Sequence, residues 1–351
     1  MNSKSNISFS GNEKISFLSN LSTMLVAGIS ILEAVDALLE DAKGKNKKFL
    51  EVIREDIVQG NHLNYSFAKF PKIFDDVTIN LVKAAEEAGT LEITLKDLKA
   101  NIQKEMEFAD KVKQALIYPI LIGIVFAGVL LLMLVVVIPK ISAVFLRLNV
   151  ELPLPTKVLI FSSDFLLNNT LSFSITTAIF IFLTIVLYKK NKSAIVTPLY
   201  TLPFVSSLIK EIDLTRFSRS MALLLHAGVP IITCLELSKN TVINKETKKV
   251  ISKSIEMVSS GKKLSEGFKT AKGKIPTIMI KLMEVGEKSG ALEKSMQDVS
   301  EYLEYQVTNT LKTFTALLEP IMLLIVGVMV GGMMMAIIAP IYGMIGQVGA
   351  R

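Results

Sequence analysis

The chain is 351 residues long, half of them apolar, with no tryptophan, one cysteine and a net charge of +7. That length admits two or three domains, and the lone Cys234 excludes an intramolecular disulfide, as in domains kept in a reducing compartment. Three charge-free stretches, 115–138, 171–188 and 320–350, argue against a soluble protein, which would have to bury three whole helices long enough to cross about 30 Å of hydrocarbon.

Residues 1–14 are polar and lack the apolar core of a secretory signal peptide. Residues 1–114 read as a helical domain. Phe17, Leu18, Leu21, Met24 and Leu25 recur at three- and four-residue spacings and make one apolar stripe. Ala27-Gly28 closes that helix, with Gly28 suited to a left-handed C-terminal position. Ser30 reads as the N-cap of the next helix, with Glu33 three residues on. Strand signals are weak, since no Asn-Gly or Asp-Gly turn stands between alternating apolar runs. Five or six short antiparallel helices are expected. From 91 to 118 there is neither Gly nor Pro, so one helix should run on into the apolar stretch at about 1.5 Å per residue. Pro119 then sits near the membrane boundary, where a kink is expected.

Residues 115–138 are the first predicted transmembrane helix, 139–170 an external loop and 171–188 the second transmembrane helix. A second helical domain covers 189–315, with Gly228-Val229-Pro230 as its first turn and Pro230 at or near a helix start. From 291 to 319 Gly and Pro are again absent, so a second long helix should likewise run unbroken from the domain into the membrane, with Pro320 near the boundary, where a kink is expected. The third transmembrane helix is 316–340, and 341–351 is an external tail. The fold class is therefore all-α, a polytopic membrane protein with two repeated cytoplasmic helical bundles and three transmembrane helices.

The two bundles repeat each other. Phe17, Leu25, Gly28 and Ile31 match Phe217, Leu225, Gly228 and Ile231 at an offset of 200. One residue is then inserted, and Gly60, Leu63, Phe67, Glu86, Gly89, Leu91, Glu92, Asp97, Pro119 and Pro139 match Gly261, Leu264, Phe268, Glu287, Gly290, Leu292, Glu293, Asp298, Pro320 and Pro340 at 201. The chain reads as two copies of one module, a polar domain followed by an apolar helix.

Charge sets the expected orientation. Lys104, Lys111 and Lys113 precede the first span, and Lys189, Lys190 and Lys192 follow the second. The positive-inside rule puts both helical domains and the N-terminus in the cytoplasm, and 139–170 and the C-terminus outside. Two copies of one orientation need an extra crossing between them, and 171–188 has no counterpart in the repeat. Residues 1–114 hold 15 Lys and Arg against 17 Asp and Glu, while 189–315 hold 20 against 12. The second domain could use that excess on anionic lipid or an acidic partner, or carry it as a solvated face.

No catalytic constellation stands out. His62 and His226 occupy non-equivalent positions, no Cys/His cluster offers a metal site, and no phosphate-cradling GxxxxGK[ST] run occurs, so neither a metal nor a cofactor is expected. The span centres carry no charge, which disfavours the alternative of a transporter or channel component with parallel repeats. Glu319, at the inner edge of the third span beside Pro320, is either an interfacial anchor or the partner of a neighbouring basic residue. Gly327 and Gly331, four apart, suit self-association. The most repeated motif is Glu86-Glu87-Ala88-Gly89 against Glu287-Lys288-Ser289-Gly290. Gly89 and Gly290 should end one helix before the long one begins. Glu86 and Glu287 fall in that helix's last turn, where a carboxylate opposes the dipole, so a compensating partner is expected: a buried Lys or Arg, or another protein.

These residues resemble the type II secretion system F family of platform proteins. Arg216-Phe217-Ser218-Arg219 followed by Ala227-Gly228-Val229-Pro230 is similar to the family's helix-turn motif. Gly286-Glu287-Lys288-Ser289-Gly290 is similar to its GExSG signature, and Pro139-Lys140 leading to Glu151-Leu152-Pro153-Leu154-Pro155-Thr156 to its external loop. In the first copy Ala85 replaces the leading glycine. The resemblance implies a non-enzymatic protein of the cytoplasmic (inner) membrane that serves secretion, pilus biogenesis or DNA uptake. The implied partners are a hexameric ATPase, pilin or pseudopilin subunits, other inner-membrane assembly proteins, membrane lipid and further copies of itself, without direct contact to nucleic acid. It further implies that Glu86, Glu87, Gly89, Glu287, Gly290, Glu319, Pro119 and Pro320 serve partner contact or coupling.

Overall fold

The computed structural model describes residues 7–147, 154–169, 203–271 and 273–348, and every regular element among them is helical. α1 (Gly11–Val26) and α2 (Ile31–Glu40) both open on capping boxes, Ser10 with Glu13 and Ser30 with Glu33. In each, the serine Oγ accepts from the glutamate N–H while the glutamate carboxylate accepts from the serine N–H, which satisfies two orphan donors reciprocally. Gly28, at φ 81°, makes the left-handed turn between them. α3 (Gly44–Val58), α4 (Leu63–Ala68), α5 (Asp76–Ala88) and α6 (Leu91–Leu132) follow. A π-helical turn (Met133–Val137), α7 (Ile138–Arg147) and α8 (Leu154–Asn168) come next. The second half is α9 (Pro203–His226), α10 (Ile231–Asn240), α11 (Lys245–Ser259), α12 (Leu264–Lys269), α13 (Thr277–Ser289) and α14 (Leu292–Val348).

The helices α2 to α5 and α10 to α13 have the same lengths in the same order: 10, 15, 6 and 13 residues. α10 starts 200 residues after α2, and α11 starts 201 after α3. The inserted residue therefore lies in the turn after α10, where a surface loop absorbs it without moving a core position.

The helices form two compact units. One comprises Met1–Lys111 with Ser207–Thr308, so that the regions expected as two bundles pack together. Its apolar core draws on α1 to α6 and on α9 to α14 alike. Phe17 and Phe67 lie 6.1 Å apart between ring centres, and their counterparts Phe217 and Phe268 lie 5.6 Å apart. The first half adds Phe49, Phe70 and Phe74, with Phe67 stacked on Phe74 at 3.8 Å. Burial of such rings is a large share of what holds a small helical body together, about 1.5–3 kcal/mol each.

The other unit comprises Val112–Ser206 with Asn309–Arg351. In it the Thr315 hydroxyl donates to the Ala115 carbonyl at 3.4 Å and to Leu311 at 3.0 Å. The π-turn has an identifiable cause. Ile138 N–H donates to Met133 O, five residues back. The next donor in that register would be residue 139, but Pro139 has no N–H. Leu134 O is thereby left without its backbone donor, and Ser163 Oγ on α8 supplies one at 2.6 Å. Ser163 is fully buried. The segment expected as an external loop thus contains two helices among its described residues.

Two helical runs, Leu91–Ala143 and Leu292–Gly332, are long and apolar enough to cross a membrane, and none of the apolar window in either is buried. Ile120, Leu121, Ile124 and Val125 stand exposed on α6, as do Leu323, Leu324 and Val328 on α14. A continuous bare surface of that kind is stable in lipid and costly in water. The expected span 171–188 lies outside the described residues. α6 runs through Pro119 and α14 through Pro320 and Pro340 without leaving helical geometry.

Candidate functional site

The repeated Glu–Gly motif is built the same way in both halves. α5 ends at Gly89, at φ 68°, and α13 ends at Gly290, at φ 71°. The residue after each glycine closes the cap: Thr90 N–H donates to Ala85 O and Ala291 N–H to Gly286 O, both at 2.9 Å. One turn earlier, Glu86 accepts from the N–H of Leu63 at 2.5 Å and of Asn64 at 3.0 Å. Glu287 accepts from the N–H of Leu264, from the N–H of Ser265 at 3.2 Å and from Ser265 Oγ. The compensating partner, expected as a buried Lys or Arg or as another protein, is within the fold the N-terminus of a short helix, α4 or α12. Orphan N–H groups and the positive end of that helix take the carboxylate that the C-terminus of α5 or α13 would repel. His62 stands at the N-cap position of α4 without a side-chain capping bond and stays exposed, 3.8 Å from Glu86.

Gly286 explains the glycine that opens the second motif. A Cβ there would lie 2.7 Å from Ser295 Cβ and 3.0 Å from Leu292 Cα, so α13 and α14 approach closely only because the side chain is absent. In the first half Ala85 occupies the same place, 2 % exposed, and there a methyl is accommodated between α5 and α6.

A second cluster joins the two halves. Arg219 on α9 donates to Glu304 on α14 at 2.5 Å, and Lys111 on α6 reaches the other oxygen of Glu304 at 3.1 Å. Arg219 is 6 % exposed and its guanidinium lies 5.6 Å from the Phe108 ring. His226, the last residue of α9, sits 2.7 Å from Glu293 on α14 and 3.6 Å from Asp97 on α6. α9 thus holds both long helices, each at two heights. Nearby, burial pushes the Glu105 carboxyl up, and the charge of Asp75 adds to it. Burial lowers Lys14. On α9 itself burial raises Asp213, although it accepts from the N–H of Ile243 at 3.0 Å and of Asn244 at 2.6 Å.

Glu87 is exposed and within 4.0 Å of Lys83. Glu319 and Pro320 are both exposed on α14. Among the described residues, no side chain lies within 4 Å of where a Cβ would stand at Gly327 or Gly331. Among the described residues no group of His, Cys, Asp and Glu could hold a metal ion. Cys234 is buried, and desolvation pushes its thiol up to about 12, so it is protonated and unreactive at neutral pH.

Against known proteins, the profile of the type II secretion system protein F family matches the chain twice, over residues 17–139 and 217–340. The chain belongs to this family. The paired matches stand 200 and 201 residues apart at their two ends, the offsets of the internal repeat. Among similar proteins is the type IV pilus assembly protein PilC of Pseudomonas aeruginosa, 29 % identical over 330 residues, 93 % of this chain and 88 % of the relative. The type IV pilus assembly protein PilC of Thermus thermophilus is 29 % identical over 340 residues, 95 % and 83 % of the two chains. The type II secretion system protein F of Vibrio cholerae is 24 % identical over 327 residues, 92 % and 80 %. Within this protein F family member, the Arg219–Glu304–Lys111 cluster was not foreseen from the sequence. At the repeat-equivalent positions of Arg219 and Glu304 stand Ser19 and Gln103, so the repeat carried no signal for it.

Proposed function

We propose that this chain is a non-enzymatic platform of the cytoplasmic membrane on which a type IV pilus or a type II secretion pseudopilus is assembled. The two halves are copies of one module, and a third span at 171–188 returns the chain between them. The N-terminus and both helical regions face the cytoplasm, and the C-terminus faces outward. A hexameric ATPase acts on the cytoplasmic part, pilin or pseudopilin subunits are handled by the spans, and the chain works as a homo-oligomer.

The observation that carries this reading is the double life of α6 and α14. Each begins in a packed core, with Leu95, Leu98 and Ile102 buried on α6 and Met296, Val299 and Leu303 on α14. Each then continues, unbroken, into the bare apolar surface that lipid would cover. Such a helix passes a rotation or tilt from one solvent to the other, and the chain itself supplies no phosphate-binding loop to power it. The names of the pilus and secretion relatives point to the same task.

Deleting the gene should abolish filaments or secretion while pilin subunits and ATPase remain at normal cellular levels. Filaments at wild-type number in the deletion strain would end the reading.

A further inference from the structure

α8 packs on the π-turn and α7 and turns an apolar face away from them. Val158, Phe161 and Phe165 recur at spacings of three and four, the period that makes one stripe along a helix. They are 62 %, 72 % and 58 % exposed. Ser163 lies on the opposite side, buried, with its hydroxyl on the Leu134 carbonyl. Lys157, Asp164 and Asn168 are exposed as well and run along one flank of the apolar stripe. α8 is thus a short amphipathic helix with a buried anchor, an apolar face and a polar flank.

The bond to Leu134 sets the depth of that face. Lys113 and Lys140 bound a run without charge that is centred near Phe126. At about 1.5 Å per residue, Leu134 lies about 12 Å beyond that centre. A hydrocarbon core about 30 Å thick reaches about 15 Å from its middle, so Ser163 is held close to the boundary between acyl chains and headgroups. Leu131, Leu132, Val135 and Val136, on the same stretch of helix, are exposed. The apolar face of α8 is therefore continuous with a surface that suits lipid. An amphipathic helix settles at that boundary with its Phe-bearing face among the acyl chains and its polar face toward water. A soluble protein cannot reach a face at that depth without displacing lipid from it.

We infer that α8 is an interfacial helix of the outer leaflet, with Val158, Phe161 and Phe165 among lipid acyl chains and Lys157, Asp164 and Asn168 toward headgroups and water. The inference rests on the reading that α6 crosses the membrane outward. The segment between the first two spans is then held in the bilayer surface, and Ser163 ties the end of the first span to it.

The chain has no tryptophan, so a single one reports without background. The test uses the full chain in nanodiscs of phosphatidylcholine and phosphatidylglycerol, as the variants F161W, F165W, K157W and I124W. Each replaces an exposed side chain, so melting temperatures should stay within about 2 °C of wild type. Lipid brominated near the headgroup end of its acyl chains should quench F161W and F165W several-fold more strongly than K157W, and aqueous iodide should do the reverse. I124W, beside the centre of the charge-free run, should be quenched by bromine near the chain ends. Tryptophan itself favours interfaces, so cysteine gives a second readout. In cells whose cytoplasmic membrane is intact, Lys157→Cys should label with a membrane-impermeant maleimide and Phe161→Cys should resist it.

Quenching of F161W and F165W by iodide as strongly as K157W would put the face in water. Quenching by neither agent would put it under a protein, whether a partner or a second copy of this chain. Either result, or labelling of Phe161→Cys as fast as Lys157→Cys, overturns the inference and leaves the crossing of α6 intact. Failure of deep bromine to quench I124W would remove that crossing, and the inference with it.

Discussion

Replacing Val112, Lys113 and Gln114 with three glycines should reduce filament assembly to the level of a gene deletion, whereas three alanines at the same positions should preserve it. These residues lie on α6 where one compact unit gives way to the other, and none of the three is buried. The substitution therefore leaves both cores intact. That matters, because softening the helix further upstream, near Lys99, would disturb Leu98 and Ile102, which are buried. Each glycine costs about 1 kcal/mol of helix stability relative to alanine, so the triple variant gives up about 3 kcal/mol at a point where no packing makes it good. A helix opened there still anchors both ends but no longer transmits torque or tilt. Counting surface filaments in strains with equal membrane levels of the two variants decides the matter. Equal counts for the glycine and alanine triples would mean that α6 is a tether and not a relay.

The largest effect on stability should come from removing both motif carboxylates. Glu86→Ala leaves the N–H groups of Leu63 and Asn64 without an acceptor, at a site where the Glu86 side chain is only 8 % exposed. Glu287→Ala does the same to Leu264 and Ser265. An unsatisfied buried donor costs about 1–3 kcal/mol, so each substitution should cost about 2–3 kcal/mol and the pair, lying in different halves, about 5 kcal/mol. For a body of this size that is a fall in melting temperature of about 10–20 °C. Glu87→Ala, at an exposed carboxylate beside the motif, should change it by no more than about 2 °C. Thermal melts of the purified full chain read all three. A double variant that melts with the wild type would mean that the glutamates serve a partner after all and not the fold.

What was legible in the sequence, and what was not, divides along physical lines. Features written in side chains were readable. Ser30 with Glu33 announced a capping box, Gly28 a left-handed turn, Gly89 and Gly290 the ends of α5 and α13, and the charge-free runs two helices that expose their apolar faces. Features written in the backbone were not. The partner of Glu86 is a pair of N–H groups that any two residues at 63 and 64 would offer, so no residue type could betray it. The clue was positional: α4 to Glu86 and α12 to Glu287 both span 23 residues, from 63 to 86 and from 264 to 287. The π-turn left only Pro139 as its trace, since the repair by Ser163 comes from a helix beyond the turn. Contacts unique to one half, such as Arg219 with Glu304, were invisible to an argument built on repetition.

The account depends most on where the helical halves lie. Lys47 and Lys253 are exposed, one in each half, and the only native thiol, Cys234, is buried and protonated. Single cysteines at Lys47→Cys and Lys253→Cys should resist a membrane-impermeant maleimide in cells whose cytoplasmic membrane is intact, and label fully once that membrane is opened. Labelling of either position in intact cells would place that half outside and contradict the account.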